Sequence, residues 1–151
     1  MTQIPPKEQI KSELLEALHR QLELLEKTVD VAKDATTHAD AKSEGKYDTR
    51  AIESGYLAGA QANRVKELKG KIAYVQKLSF RTFDEEEAID NTSLVKLGEK
   101  WLLLIQHAGG FIIECGVLTI TTISPETKLG AEIKGAFLGD DIGDLEITEH
   151  H

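Results

Sequence analysis

HADAKSEGKYDTRAIESGY, residues 38–56, lies between two heptad-patterned runs and carries the one clear chain reversal in the first half of the sequence. Toward the N-terminus, apolar or small residues recur at three–four spacing: Leu15, Leu18, Leu22, Leu25, Val29, Ala32, Thr36 and Ala39. That is an a/d seam, and its 3.5-residue period favours a left-handed supercoil. Glu, Lys, Gln and Arg fill the flanking positions and suit a solvated helix surface. Pro5 and Pro6 precede the run, where a missing N–H costs nothing. Toward the C-terminus a second seam reads Ala51, Ser54, Ala58, Gln61, Val65, Leu68, Ile72 and Val75.

Between the runs Gly45 can adopt the left-handed conformation that ends a helix, and Asp48 or Thr49 can cap the next. The room for only a short turn predicts antiparallel neighbours. Both seams are small-sided near the turn and large-sided away from it, so the arm should narrow toward its tip. Gly55 and Gly59 fit close packing there, whereas Gly70 has no evident reason in the sequence.

Residues 79–93, SFRTFDEEEAIDNTS, carry an acidic run without a sustained period and read as a linker. From Leu94 the pattern is β. Lys100–Gln106 reads as a strand, His107-Ala108-Gly109-Gly110 as a turn, and FIIECG and VLTITTI as two further strands, the second with Leu118, Ile120 and Thr122 on one face. Ser124 is expected to cap a short helix with Pro125 in its first turn, running through Lys128–Lys134 and ending near Gly135. A last strand is expected over Ile142–Ile147. The predicted class is α+β: a long antiparallel α-helical coiled-coil hairpin over 1–78 with its tip at 42–50, a linker over 79–93, and a small β-sheet domain with one short helix over 94–149.

Of the 151 residues, 18 are Lys or Arg and 26 are Asp or Glu, a formal charge of −8. An acidic chain is poorly suited to gripping a nucleic-acid backbone and better suited to a basic protein surface or channel. Direct sequence-specific nucleic-acid binding is therefore not expected. No apolar run reaches the ~20 residues of a membrane helix, and no secretory leader is visible. Cys115 is the single cysteine, so no internal disulfide can form, which is consistent with a reducing, cytoplasmic setting. It reads as a small buried strand residue, since no His or acid stands in relation to it as a catalytic partner. His19, His38 and His107 have no ligand spacing and no phosphate-binding Gly-rich loop is present, so no metal site is expected. Trp101, Phe111 and Phe137 read as core, and His150 and His151 are assigned no role.

Ala41-Lys42-Ser43-Glu44-Gly45, the register that follows to Ala51, and Ile123-Ser124-Pro125-Glu126 with Leu129-Gly130 and Gly135 together resemble the Gre family of bacterial transcript-cleavage factors, GreA and GreB. The resemblance covers most of the chain. It implies an FKBP-like C-terminal domain that docks at the rim of the RNA polymerase secondary channel, while the coiled coil enters the channel. It also implies tip acids that help hold the second Mg²⁺ and a water in the polymerase active site, which is two-metal chemistry. No cofactor of the chain's own is implied.

The tip departs from the family pattern, roughly E-G-D-x-x-E-N-A-E-Y. Lys46 and Thr49 stand where the family has acids, and an ammonium repels Mg²⁺ at close range. Asp48 and Glu44 are the candidate replacement acids; Asp48 also reads as an N-cap and Glu44 as a solvated helix-end charge. Tip contacts would fall to Lys46, Tyr47, Thr49 and Arg50. Polymerase docking would fall to Ser124, Pro125, Thr127, Lys128, Leu129 and Gly130, with Thr127-Lys128 replacing the family's second Ser-Pro.

The expected function is a non-enzymatic, Gre-like, RNA polymerase-binding regulator of transcription elongation in the bacterial cytoplasm, without standard cleavage stimulation. An active cleavage factor using Asp48 and Glu44 is the alternative within the family. A coiled-coil adaptor unrelated to transcription, self-associating through the arm, is the alternative outside it.

Overall fold

A computed structural model of the chain describes residues 3–42 and 49–151, and the side-chain surroundings of 3–28 and 59–151. The order of elements is α1 (Lys7–Lys42), α2 (Thr49–Lys77), β1 (Leu94–Leu97), β2 (Lys100–Leu104), β3 (Ile112–Cys115), β4 (Leu118–Ile123), α3 (Lys128–Ile133), β5 (Asp141–Ile142) and β6 (Leu145–His150). The class is α+β: two long helices, a six-stranded mixed sheet and one short helix. The compact units are Met1–Ala17 with Val75–His151, and Leu18–Tyr74. The division expected from sequence was 1–78, 79–93 and 94–149.

The helical unit takes its faces from the heptads. Of its seam positions, Leu18, Leu68 and Ile72 are buried, and Leu22, Leu25, Gln61 and Val65 are half-buried among exposed neighbours. Lys69 Nζ lies 3.8 Å from Glu26 Oε1. Both side chains are largely exposed, so the pair contributes little. Gly59 and Gly70 have nothing within 4 Å of where a Cβ would stand. Gly59 therefore serves no close approach, contrary to the sequence expectation, while the surroundings of Gly55 lie outside the described residues. Gly70→Ala is expected to stabilise the protein by about 1 kcal/mol, because alanine fits and restricts the unfolded chain. A urea titration followed by helical circular dichroism reads this directly.

The other unit is built on the sheet, in the order β3-β4-β2-β1-β6-β5. β2 pairs parallel with β4, and all other neighbours are antiparallel. Because side chains alternate along a strand, the register puts Ile113, Ile120 and Trp101 in one row and Ile112, Thr121 and Leu102 in the next, on the opposite face. One face carries Val95, Leu97, Leu102 and Leu104, which form a core cluster with Ile89, Ile133 and Ile147. On the other, Leu103, Ile113, Cys115 and Ile120 are buried. Ile10 and Leu14, on the first turns of α1, are fully buried within this unit. Burial, then the Glu13 carboxylate, raises the Cys115 thiol above its ordinary pKa. That leaves it an inert packing residue.

Several expectations change. Leu14 rather than Leu15 carries the buried seam at the start of α1, because these turns belong to the sheet unit and answer to its core. Residues 79–93 are not a bare linker: Phe80, Phe83 and Ile89 are buried, and Gly135 N–H donates to the Ile89 carbonyl at 2.7 Å. The expected final strand is a hairpin, β5 and β6, turned at Gly143 with φ +62°. Phe137 is 47% exposed and is not core, and Phe111 is half-buried. His150 and His151 are integral to the sheet: His151 exchanges both backbone hydrogen bonds with Leu94, at 2.8 and 3.0 Å.

Candidate functional site

The docking residues expected from sequence come together at the junction of β4 and α3. Ser124 leaves the end of β4 and is buried. Two glycines close on its backbone. A Cβ on Gly130 would overlap the Ser124 carbonyl oxygen and stand 2.6 Å from its carbonyl carbon; one on Gly109 would stand 2.6 Å from the Ser124 nitrogen. Only glycine permits either approach.

Hydrogen bonds then lock the turn. Thr127 Oγ1 donates to the Ser124 carbonyl at 2.7 Å and accepts from Gly130 N–H at 3.1 Å. Ser124 Oγ accepts from Glu126 N–H at 3.2 Å. The cap of α3 is therefore Thr127, not Ser124, and Pro125 lies in the turn before the helix. The Ser124 carbonyl is occupied in closing the turn, and the Thr127 hydroxyl stands three residues before the free Gly130 N–H, the reach a cap needs. Thr127 thus has its own local reason. Thr127→Val is expected to cost about 1 kcal/mol and Thr127→Ser close to nothing, checked by denaturation followed through the single tryptophan, Trp101.

The loop His107–Gly110 belongs to the same surface. Thr122 Oγ1 donates to the Ala108 carbonyl at 2.7 Å and accepts from Phe111 N–H at 2.8 Å. His107 Nδ1 lies 3.4 Å from Glu126 Oε1. His107, Pro125, Glu126, Lys128 and Leu129 therefore present one firm surface over a buried Ser124 and Gly130. Sequence reasoning missed His107 and Gly109. Their turn was legible, but its contact with Ser124 is tertiary and leaves no local signal.

A groove of about 510 Å³ opens beside Leu129, with Leu97, Leu102 and Ile123 among its walls and Ile142 and Leu145 closing it from the β5–β6 hairpin. Glu99 and Lys100 also line it.

The tip candidates Glu44, Lys46, Tyr47 and Asp48 lie outside the described residues. Thr49 opens α2 and Arg50 follows it; their side chains lie outside the description. Among the described residues no group of three or more His, Cys, Asp and Glu could hold a metal ion. Among them, too, no helix is long and apolar enough to cross a membrane.

No protein-family model matches this chain, and no curated protein matches it. Among solved structures, the GreA factor homolog 1 (Gfh1) protein of Thermus thermophilus is similar over 91% of this chain and 94% of that one, at 16% identity and a TM-score of 0.39. At that score the likeness leaves fold and function to rest on this chain's own residues.

Proposed function

We propose that this chain is a Gre-like regulator that binds bacterial RNA polymerase and modulates elongation from the secondary channel. In this reading α1 and α2 form an antiparallel coiled-coil hairpin. At 1.5 Å per residue their 36 and 29 residues correspond to about 54 and 44 Å, long enough for a probe with the tip read at 42–50. The sheet unit, read as FKBP-like, docks at the channel rim. The observation that carries the reading is that Ser124, Pro125, Thr127, Lys128, Leu129 and Gly130, singled out as one docking motif, form one hydrogen-bonded turn with an exposed outer side.

The protein itself is not an enzyme in this reading. Lys46 and Thr49 replace the acids that would share the polymerase's Mg²⁺, so cleavage of backtracked RNA is not stimulated. The acidic balance of the chain favours a basic channel over nucleic acid.

Two measurements test this. Co-purification with bacterial core polymerase is expected, and its absence overturns the reading. In stalled elongation complexes no Mg²⁺-dependent RNA shortening is expected, and the chain should compete with a genuine Gre factor. Shortening that disappears in Asp48→Ala but persists in Thr49→Ala would instead establish the cleavage-factor reading, with Glu44 in support. A self-associating chain that ignores polymerase would establish the adaptor.

A further inference from the structure

The first turns of α1 are fastened to the rest of the sheet unit by two lysines one helical turn apart. Lys11 Nζ donates to the carbonyls of Gln76 and Leu78 at 3.0 and 2.8 Å and lies 6.0 Å from the Phe80 ring centroid. Lys7 does the same at a buried site. Its Nζ donates to the carbonyls of Arg81 and Thr92 and lies 5.3 Å from the Phe83 ring centroid. Lys7 is 6% exposed, and among the described residues no carboxylate pairs with it.

Phe83 is ringed by basic groups. The Arg81 guanidinium stacks 3.7 Å from its centroid, and the His150 ring lies 5.0 Å away. His150 is 3% exposed. Its Nε2 meets Ser93 Oγ at 2.8 Å, and its Nδ1 is buried without a partner. The neighbouring acids are committed elsewhere: Glu87 holds Arg81 at 3.1 Å, and Glu149 is shared by His151 at 3.2 Å and Lys96 at 4.0 Å. Protonating this cluster therefore adds charge where nothing buried can balance it. A neutral Lys7 amine keeps two N–H donors for its two carbonyls, so losing the proton costs neither hydrogen bond, whereas the ammonium holds a full charge at a buried site with no carboxylate against it.

We propose that Lys7, Phe83 and His150 form an acid-opened clasp, which holds the first turns of α1 on the sheet unit at alkaline pH and loosens them as the pH falls. Burial, then Arg81, pulls the Lys7 ammonium down to about 7. Burial, then Lys7, lowers His150 from its ordinary value against an opposing pull from Glu87, with His151 and Arg81 adding to the lowering. Both groups bind protons more weakly folded than unfolded. Stability present at high pH is therefore lost as pH falls, through Lys7 from its unfolded 10.5 down to about 7 and through His150 below 6.5.

The clasp is independent of what the protein binds, and it is tested on the full-length chain alone. Amide hydrogen exchange of residues 8–17, corrected for intrinsic rates and referenced to β4, is measured from pH 8.5 to pH 6. The opening constant is expected to rise by up to about tenfold per pH unit down to pH 7. In Lys7→Met that rise should vanish, leaving only the His150 response below it. A wild-type opening constant that ignores pH, or the same slope in Lys7→Met, overturns the proposal. NMR titration of the Lys7 side chain in the wild-type protein needs no variant: a midpoint near 7 supports the clasp and one near 10.5 overturns it.

Discussion

Gly130→Ala is expected to destabilise the sheet unit by about 3 kcal/mol, the upper end of what forced overpacking costs. The added methyl meets the Ser124 carbonyl and the Pro125 Cα, the latter at 3.0 Å, and all of these are backbone atoms. No side chain can swing aside to make room. Either α3 lifts from the end of β4, losing the bonds from Thr127 to Ser124, or the turn unfolds. Lifting α3 also withdraws Ile133 from the core cluster. Gly135→Ala is the control. It has open space around it but a φ of +86°, so it should cost only about 1–2 kcal/mol through backbone strain. Urea titrations read through Trp101 give both values. A Gly130→Ala loss no larger than that of Gly135→Ala would sink the account of the Ser124 turn. If the turn is the docking surface, the same variant should lose polymerase binding under conditions where it remains folded.

Leu104→Ala is expected to cost about 3–4 kcal/mol, within the range for emptied leucine sites. Leu104 is fully buried on β2, which is paired on both sides, to β1 and to β4. A strand held in two ladders cannot move sideways into the space, so the cavity should persist. The side chain also packs in the cluster that joins β1, β6 and α3. The loss should appear as a lower urea midpoint at unchanged slope, since the unfolded surface hardly changes. Ile112→Ala, at a position 71% exposed in the same unit, should lie within about 0.5 kcal/mol of wild type.

These effects depend on contacts of differing legibility. The helices were readable because a 3.5-residue period repeated many times outweighs any single residue: Leu22 and Leu25 on α1 and Val65 and Leu68 on α2 lie on the less exposed face. The reading slipped at Leu15, where the packing partner is no longer a helix. β2, β3 and β4 were readable as short apolar runs between turns. β1 falls where the pattern turns β at Leu94 but received no bounds of its own, and the β5–β6 hairpin was read as one strand, because four residues and two residues carry too little pattern. The acids Asp84–Glu86 concealed the burial of Phe80, Phe83 and Ile89 around them, since a polar run reads as loop whatever its flanking aromatics touch. At the candidate site the residues were named but the capping role was misplaced by three positions. Ser-Pro is a good local helix start, and only Gly109 from the loop before β3 and Gly130 from α3, closing on Ser124 together, show why Ser124 is spent on the turn.

β1 has neighbours from very different parts of the chain. Leu94 pairs with Leu103 on β2, while Val95 pairs with His150 on β6. A growing polypeptide can form the first ladder almost at once, but the second only after some fifty more residues have emerged. During that interval β1 exposes an apolar edge able to recruit foreign strands. Synthesis interrupted before β6 should therefore yield aggregation-prone nascent chains. Those carrying β6 should close the edge themselves, so the order of manufacture sets the period of greatest hazard.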